Sequence, residues 1–175
     1  MASMRARLGE MTGEQRIHAL IHEIEPEPNK RFTSQFMLEQ VRFRSMKMTS
    51  NNTANVVFAF PVEDYYCNGS GGMHGGFQST AFDMLTSLAI MAAAPKGSSW
   101  LDGGTSRVLT VNYLRPASLG EMLICECEVT HVGKRMAMTR GVLKRERDGA
   151  VVSTCEHNKA TVEGGKPGFG PPAQL

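Results

Sequence analysis

Apolar and polar residues alternate along two stretches in the first third of the chain. Residues 41–50 (VRFRSMKMTS) place Val41 and Phe43 in phase, and residues 55–61 (NVVFAFP) are rich in β-forming side chains. Two consecutive asparagines between these stretches are typical turn residues. The pattern therefore predicts a β-hairpin.

The second half of the chain contains four more strand-like segments, at residues 106–114, 121–131, 135–146 and 150–161. Turn sequences separate them, at Pro116–Gly120, Val132–Lys134 and Asp148–Gly149. Alternation is clearest in the second of these segments, and Asp-Gly is a strong hairpin signal. The four segments are therefore predicted to form antiparallel strands.

A long apolar stretch lies between the two groups of strands. It begins near Gly75 and is apolar on nearly every side, through Phe77, Ala81, Phe82, Met84, Leu85, Leu88, Ala89 and Ile90. Helices of this kind are buried. We therefore predict an α+β fold, in which a curved six-stranded antiparallel sheet wraps around one long central helix.

The two ends of the chain differ from this central pattern. Residues 12–25 predict a short amphipathic helix with Thr12 as its cap, and the prolines that follow end it. We expect residues 1–34 to be an N-terminal extension and residues 35–163 to be the domain. The glycine- and proline-rich tail, residues 164–175, is predicted to be disordered.

Composition narrows the classes of function. The 175 residues suit one domain, and a net charge of +2 is far too small for a dedicated nucleic-acid-binding protein, although it suits an anionic small ligand. No uncharged apolar run is long enough for a membrane span. The four cysteines lack CxxC spacing and are expected to be reduced thiols in an intracellular protein. The cytoplasm is the expected compartment, with the mitochondrion as the alternative.

Glycines crowd the residues that precede the central helix, in the segment CNGSGGMHGGF. The start of a helix offers unpaired N–H groups, and glycines let a ligand approach the backbone. Such a loop suits an anion or a carbonyl oxygen that develops negative charge. The alternative is a plain glycine-rich connector.

Three polar side chains accompany this loop. Asp83 lies between two apolar residues of the helix and is either a general base or nucleophile, or a structural carboxylate paired with a donor. Asn68 is either a donor to a substrate carbonyl or an ordinary turn residue, and His74 either holds the loop or is a turn residue too. No metal is expected, because Cys67, His74 and Asp83 lack the spacing of a zinc site.

The motif formed by these residues is Asn68-x-x-Gly71-x-x-His74-Gly75-Gly76, with Asp83 nine residues after the histidine. A second motif, Y-x-x-P-A-x-x-G, runs from Tyr113 to Gly120. Together they resemble hotdog-fold acyl-CoA thioesterases of the phenylacetyl-CoA type, the group that includes the animal thioesterase superfamily members. The resemblance spans about residues 35–163 and agrees with the fold predicted from periodicity.

The resemblance implies roles for individual residues. Asn68 and the Gly75 N–H would bind the thioester carbonyl, with His74 beside them, and Asp83 would act as base or nucleophile from the partner subunit. A serine that orients water is best matched by Ser106, with Thr105 as the alternative. The resemblance also implies dimers, or dimers of dimers, and an acyl-CoA substrate with no cofactor.

Binding of the CoA end requires cations. Gly76, Arg107, Lys134 and Arg135 are the predicted substrate-binding residues, and Arg115, Arg140 and Lys159 are further candidate cations. Two other functions remain open: a hotdog dehydratase or hydratase acting on a hydroxyacyl thioester, and a module that binds acyl-CoA without turnover.

Overall fold

Six antiparallel strands form one sheet in the computed structural model of the chain, which describes residues 4–22 and 35–161. The strands are β1 (Arg42–Met48), β2 (Ala54–Pro61), β3 (Thr105–Tyr113), β4 (Met122–Val132), β5 (Met136–Arg145) and β6 (Val151–Ala160). Their order across the sheet is β1-β2-β4-β5-β6-β3. Each overlaps a predicted strand closely.

The predicted hairpins are confirmed by the pairing of the strands. β1 pairs with β2 around the turn that holds the two asparagines, and β4, β5 and β6 form consecutive antiparallel pairs. In the turn between β5 and β6, Gly149 has a φ of 69°, and the Asp148 carboxylate accepts from the Ala150 N–H at 3.0 Å. The positive φ of Gly149 is the left-handed backbone conformation, which glycine adopts without strain.

The long central helix, α3 (Gly75–Ala93), lies against the concave sheet as predicted. Its apolar side chains are largely buried, and burying one the size of Phe82 contributes about 1.5–3 kcal/mol. Close packing requires a glycine on β5, because a Cβ at Gly141 would lie 2.8 Å from both the Phe82 ring and the Cys155 sulfur. Because Gly141 has no side chain, α3 can pack closely against the sheet.

Two short helices precede the sheet: α1 (Met4–Glu10), which the sequence pattern did not predict, and α2 (Gly13–His22). Thr12 caps α2 as predicted, because its hydroxyl accepts from the Gln15 N–H at 3.3 Å and the Gln15 side chain accepts from the Thr12 N–H at 2.8 Å. The predicted last residues of this helix, 23–25, lie outside the described residues.

Arg16 joins these N-terminal helices to the end of α3. Its guanidinium donates to the carbonyl oxygens of Leu8 at 2.8 Å, Met91 at 3.1 Å and Ala94 at 2.6 Å. A cation here satisfies carbonyls that the helix leaves unpaired and complements the negative end of its dipole. The described part of the N-terminal segment therefore packs at the end of α3 opposite to the glycine loop.

The remaining described segments are short. Phe36–Gln40 form a single π-helical turn before β1, and Ser99–Asp102 form a 3-10 turn before β3. The predicted disordered tail lies outside the described residues. Within residues 4–22 and 35–161, no helix has the length and apolar character that crossing a bilayer requires.

Candidate active site

The glycine loop is held in place by the second motif of the sequence. The Met73 N–H donates to the Ala117 carbonyl at 2.8 Å, and the Leu119 N–H donates to the Gly71 carbonyl at 3.1 Å. A β-bridge between Gly72 and Ser118 lies between these two contacts. The two segments that carry the resemblance are therefore neighbours in space.

Asn68 is a turn residue in the structure, whereas its role as a donor to the substrate carbonyl stays a prediction. Its side-chain oxygen accepts from the Ser70 N–H at 2.9 Å and the Gly72 N–H at 3.3 Å, which is an Asx turn. Because both partners are backbone donors, the atom that faces them must be the oxygen. The amide NH2 then points away from the loop, and it has no partner among the described residues.

His74 is the N-cap of α3. Its Nδ1 atom accepts from the Gly76 N–H at 2.9 Å, so the neutral ring carries its proton on Nε2. The Gly76 N–H is thereby occupied, whereas the Gly75 N–H has no acceptor in the part of the chain that is described. Gly75 is therefore the available backbone donor, and substrate binding at Gly76 would rest only on its lack of a side chain.

Tyr113 fixes Gly75 from the end of β3. Its hydroxyl donates to the Gly75 carbonyl at 2.9 Å and accepts from the Ser79 hydroxyl at 2.6 Å. The tyrosine ring also lies 3.3 Å from where a Gly75 Cβ would be, so a larger residue would be crowded. The sequence placed Tyr113 in a motif without assigning it this contact.

Asp83 lies on α3 beside the first residues of β3. The Ser106 hydroxyl donates to Asp83 Oδ1 at 2.5 Å, while the aspartate side chain stays 43% exposed and can be reached by a ligand. This contact favours Ser106 over its neighbour Thr105 as the serine of the site. A β-bulge at Arg107 follows immediately, and bulges of this kind re-aim side chains next to active sites.

Lys159 also belongs to the Asp83 cluster. It lies directly opposite Ser106 on β6, and its ammonium donates to the hydroxyls of Ser106 at 3.1 Å and Ser87 at 2.7 Å. The lysine is only 3% exposed, and burial lowers its pKa while the nearby Asp83 carboxylate raises it. The suggestion that Lys159 binds CoA is therefore wrong, because its side chain is buried under the carboxylate.

His157 was not among the site residues predicted from the sequence. Its Nε2 atom lies 3.3 Å from Asp83 Oδ1 without hydrogen-bond geometry, and its Nδ1 atom lies 2.7 Å from the Thr86 hydroxyl. The ring is completely buried. Burial, with a smaller contribution from Lys159, lowers the pKa of His157 to about 4, so the ring is neutral near pH 7.

Three predicted CoA-binding cations gather at one end of the sheet. Arg107 extends to the Met136 sulfur at 3.4 Å, beside the β4–β5 turn that carries Lys134 and Arg135. All three side chains are exposed. Arg140, a further candidate, forms an ion pair with Glu156 at 3.6 Å.

Arg115 is also engaged, through a 2.9 Å hydrogen bond to the Val151 carbonyl. All four cysteines are free. Burial raises the pKa of Cys155 to about 12, so its thiol is protonated and inert. In residues 4–22 and 35–161, no group of three or more His, Cys, Asp or Glu side chains could hold a metal ion.

The site residues form two groups on one protomer. Asn68 and Gly75 lie at the N-terminus of α3, whereas Asp83 is eight residues further along the same helix. At the usual rise per residue, about 12 Å of helix separates Gly75 from Asp83. One chain therefore presents a carbonyl-binding group and a carboxylate group that are well apart.

A six-stranded antiparallel sheet with one long central helix is the architecture of the hotdog fold. The sequence profile of the Thioesterase superfamily matches residues 70–152, which span the loop, α3 and most of the sheet. Over this part of the chain, the resemblance that the two motifs indicated is therefore confirmed.

Relatives and solved structures agree with this assignment. Human acyl-coenzyme A thioesterase 13 is 27% identical over 112 residues, which are 64% of this chain and 76% of that protein. The structure of zebrafish thioesterase superfamily member 2 superposes with a TM-score of 0.68 at 20% identity, covering 87% of this chain and all of that one.

A hypothetical thioesterase protein from Streptococcus pneumoniae, crystallised with coenzyme A, superposes with a TM-score of 0.59 at 19% identity. This match covers 71% of the present chain and 87% of the other. The structural matches establish that the fold is shared.

Proposed function

We propose that this protein is an acyl-CoA thioesterase, which hydrolyses the thioester of an acyl-CoA to a free acid and CoA. The observation that carries the proposal is the Ser106–Asp83 hydrogen bond of 2.5 Å at an accessible carboxylate. The S. pneumoniae neighbour with bound coenzyme A and the relative named acyl-coenzyme A thioesterase supply the substrate class.

The chemistry divides between the two groups of the site. The Asn68 amide and the Gly75 N–H polarise the thioester carbonyl and stabilise the negative charge that develops on its oxygen. Asp83 removes a proton from water, which adds to the carbonyl carbon. The C–S bond then breaks, and the CoA thiolate leaves and takes up a proton.

The two groups must come from different copies of the chain, because about 12 Å of helix separates them within one protomer. We therefore propose a dimer in which Asn68 and Gly75 of one protomer face Asp83 of its partner. β3 offers the contact surface: it is an edge strand with its outer side unpaired in the described residues, and Val108 on it is exposed. Long unpaired edges readily pair with a second chain.

Arg107 follows Ser106 directly on β3 and reaches Met136, next to the turn that carries Lys134 and Arg135. We propose that these three cations bind the phosphates of CoA, for which arginine and lysine are the usual partners. The dehydratase alternative finds no support here. Such chemistry needs a histidine that reaches the substrate. His157, beside Asp83 in the described chain, is fully buried, and His74 uses its Nδ1 atom to cap α3.

Thiol release from phenylacetyl-, hexanoyl- and palmitoyl-CoA tests the activity, with Asp83→Asn compared with wild type. Removing the base should lower kcat by about a hundredfold or more. Glu128→Gln is the matched control, because it neutralises an exposed carboxylate on β4. Wild-type protein that releases no thiol from any substrate would contradict the proposal.

Mixing two inactive variants tests the shared site. A heterodimer of Asn68→Asp and Asp83→Asn chains contains one doubly altered site and one intact site. Random subunit exchange should therefore restore about a quarter of wild-type activity. Sites built within single chains would give no restoration.

A further inference from the structure

Lys159 is buried in a way that lysines rarely are. Lysine is almost never fully buried unless its charge is paired, yet the groups that touch this ammonium are two serine hydroxyls. No described carboxylate lies within ion-pair distance of it. Asp83 is nevertheless close enough to raise the pKa of Lys159, and the Ser106 hydroxyl bridges the ammonium and the carboxylate.

The lysine determines which way both hydroxyl protons point. An ammonium group only donates, so the Ser106 and Ser87 oxygens must both accept from Lys159. Each serine then has one proton left to donate. That of Ser106 goes to Asp83 Oδ1 at 2.5 Å, and that of Ser87 goes to the Asp83 backbone carbonyl at 2.5 Å.

This arrangement distinguishes the two carboxylate oxygens of Asp83. Oδ1 accepts from Ser106 and also faces His157 Nε2 at 3.3 Å. Oδ2 has no partner among the described residues. The Ser106 oxygen keeps one lone pair besides the one that Lys159 uses, so it and Oδ2 are two neighbouring acceptors that can hold the two protons of one water.

We propose that Lys159 is a positioning residue for the hydrolytic step, an inference that rests on the thioesterase activity proposed above. By donating to Ser106 and Ser87, it fixes the Ser106 proton on Asp83 Oδ1. The reacting water is then held between the Ser106 oxygen and Asp83 Oδ2, with its own lone pair directed at the thioester carbon. Lys159 does not touch the substrate.

A double-mutant cycle in thiol release tests this role. Lys159→Met keeps most of the side-chain volume and removes the donor, and it should lower kcat by about tenfold to a hundredfold with KM nearly unchanged. In a Ser106→Ala background the same change should cost less than about threefold, because the coupled partner is already gone. Lys144→Met, at the exposed Lys144–Glu126 pair, is the matched control and should leave kcat unchanged.

The proposal would be overturned if the losses in kcat from Lys159→Met and Ser106→Ala multiplied in the double variant, as they do for independent sites. It would also be overturned if Lys159→Met raised KM without lowering kcat, which is the effect expected of a CoA-binding cation. If Lys159→Met fails to fold, Lys159→Gln replaces it, because it retains a donor and removes the charge. Lys159→Gln should then keep more activity than Ser106→Ala, and equal or greater loss would contradict the role.

A second measurement does not depend on turnover. In ¹⁵N NMR, the Lys159 ammonium should give a signal protected from solvent exchange that shifts in Ser106→Ala and not in Thr105→Ala. An unprotected signal, or one insensitive to Ser106, would overturn the inference. Wild-type protein without turnover would instead contradict the proposed activity, so the two failures are distinguishable.

Discussion

The hydroxyl of Tyr113 lies 2.9 Å from the carbonyl oxygen of Gly75 and donates a hydrogen bond to it. Tyr113 is the last residue of β3, and Gly75 is the first residue of α3. The contact therefore ties the start of the central helix to the edge strand that also carries Ser106. It links the part of the chain that is proposed to bind the thioester carbonyl to the strand whose Ser106 contacts Asp83.

Removing this hydroxyl should weaken the site without unfolding the protein. In Tyr113→Phe the ring still packs on Gly75, but the helix start loses one anchor. A hydrogen bond contributes about 0.5–1.5 kcal/mol net, so kcat for thiol release should fall by about threefold to tenfold. Thermal unfolding serves as the control, and a large fall in Tm with normal turnover would contradict the expected role.

Asn68→Asp separates the turn role of the asparagine from its proposed role as a donor to the thioester carbonyl. The aspartate keeps an oxygen that accepts from the Ser70 and Gly72 N–H groups, so the loop should keep its shape. The NH2 donor is replaced by a negative oxygen, which opposes the charge that develops on the thioester carbonyl. We expect kcat to fall by about 10²–10³-fold.

The matched control for this variant is Asn55→Asp, which introduces the same charge at an exposed position of β2. It should leave turnover close to wild type. If Asn68→Asp retained full activity, the amide would not be a carbonyl donor, and Asn68 would be only a turn residue.

Alternation along the chain was enough to predict the sheet, because strands buried on one face show a period of two residues. The same pattern contained a signal for the missed site residues. Cys155, His157 and Lys159 are in phase along β6 and all buried, so the histidine and the lysine had to face α3. The pattern could not predict that Asp83 lies next to His157 and Lys159, because this position depends on how α3 crosses the sheet.

The helix α1 shows a different limit of prediction. Between Ala6 and Glu10, Leu8 is the one large buried apolar side chain, which is too little for a periodic pattern. The Leu8 carbonyl instead accepts a hydrogen bond from Arg16, which lies eight residues further along the chain. An arginine in an amphipathic segment is usually exposed, so its burial was not predictable from local sequence.

Arg16→Met should therefore destabilise the protein strongly. The variant leaves the carbonyls of Leu8, Met91 and Ala94 without their donor, and unsatisfied buried groups cost about 1–3 kcal/mol each. We expect the free energy of unfolding to fall by about 2–4 kcal/mol in total, allowing for relaxation and water entry. Urea denaturation measures this change.

Arg42→Met is the control for that prediction, because Arg42 also donates to backbone carbonyls, those of Glu39 and Val41, but is exposed. Its loss should change stability by less than about 0.5 kcal/mol. Similar effects of the two substitutions would mean that burial of the Arg16 contacts adds nothing to stability.

The neutral, buried His157 should make the fold sensitive to acid. Its pKa is lowered to about 4 in the folded protein, mainly by burial, whereas the unfolded chain binds this proton near pH 6.5. Between these values the unfolded state carries more protons, so stability should fall as the pH decreases from 6.5 to 4, by at most about 1.4 kcal/mol per pH unit from this group. The groups that face the ring are Thr86, Asp83 and Lys159.

Denaturant unfolding at several pH values, with wild type and His157→Gln in parallel, isolates this contribution. Other carboxylates titrate in both proteins, so their effect cancels in the difference between the two curves. The free energy of unfolding of wild type minus that of His157→Gln should increase as the pH rises from 4, and level off above about pH 6.5. Parallel curves from pH 4 to 7 would show that His157 does not change its protonation on unfolding. The conclusion that a neutral ring is buried beside Asp83 would then be wrong.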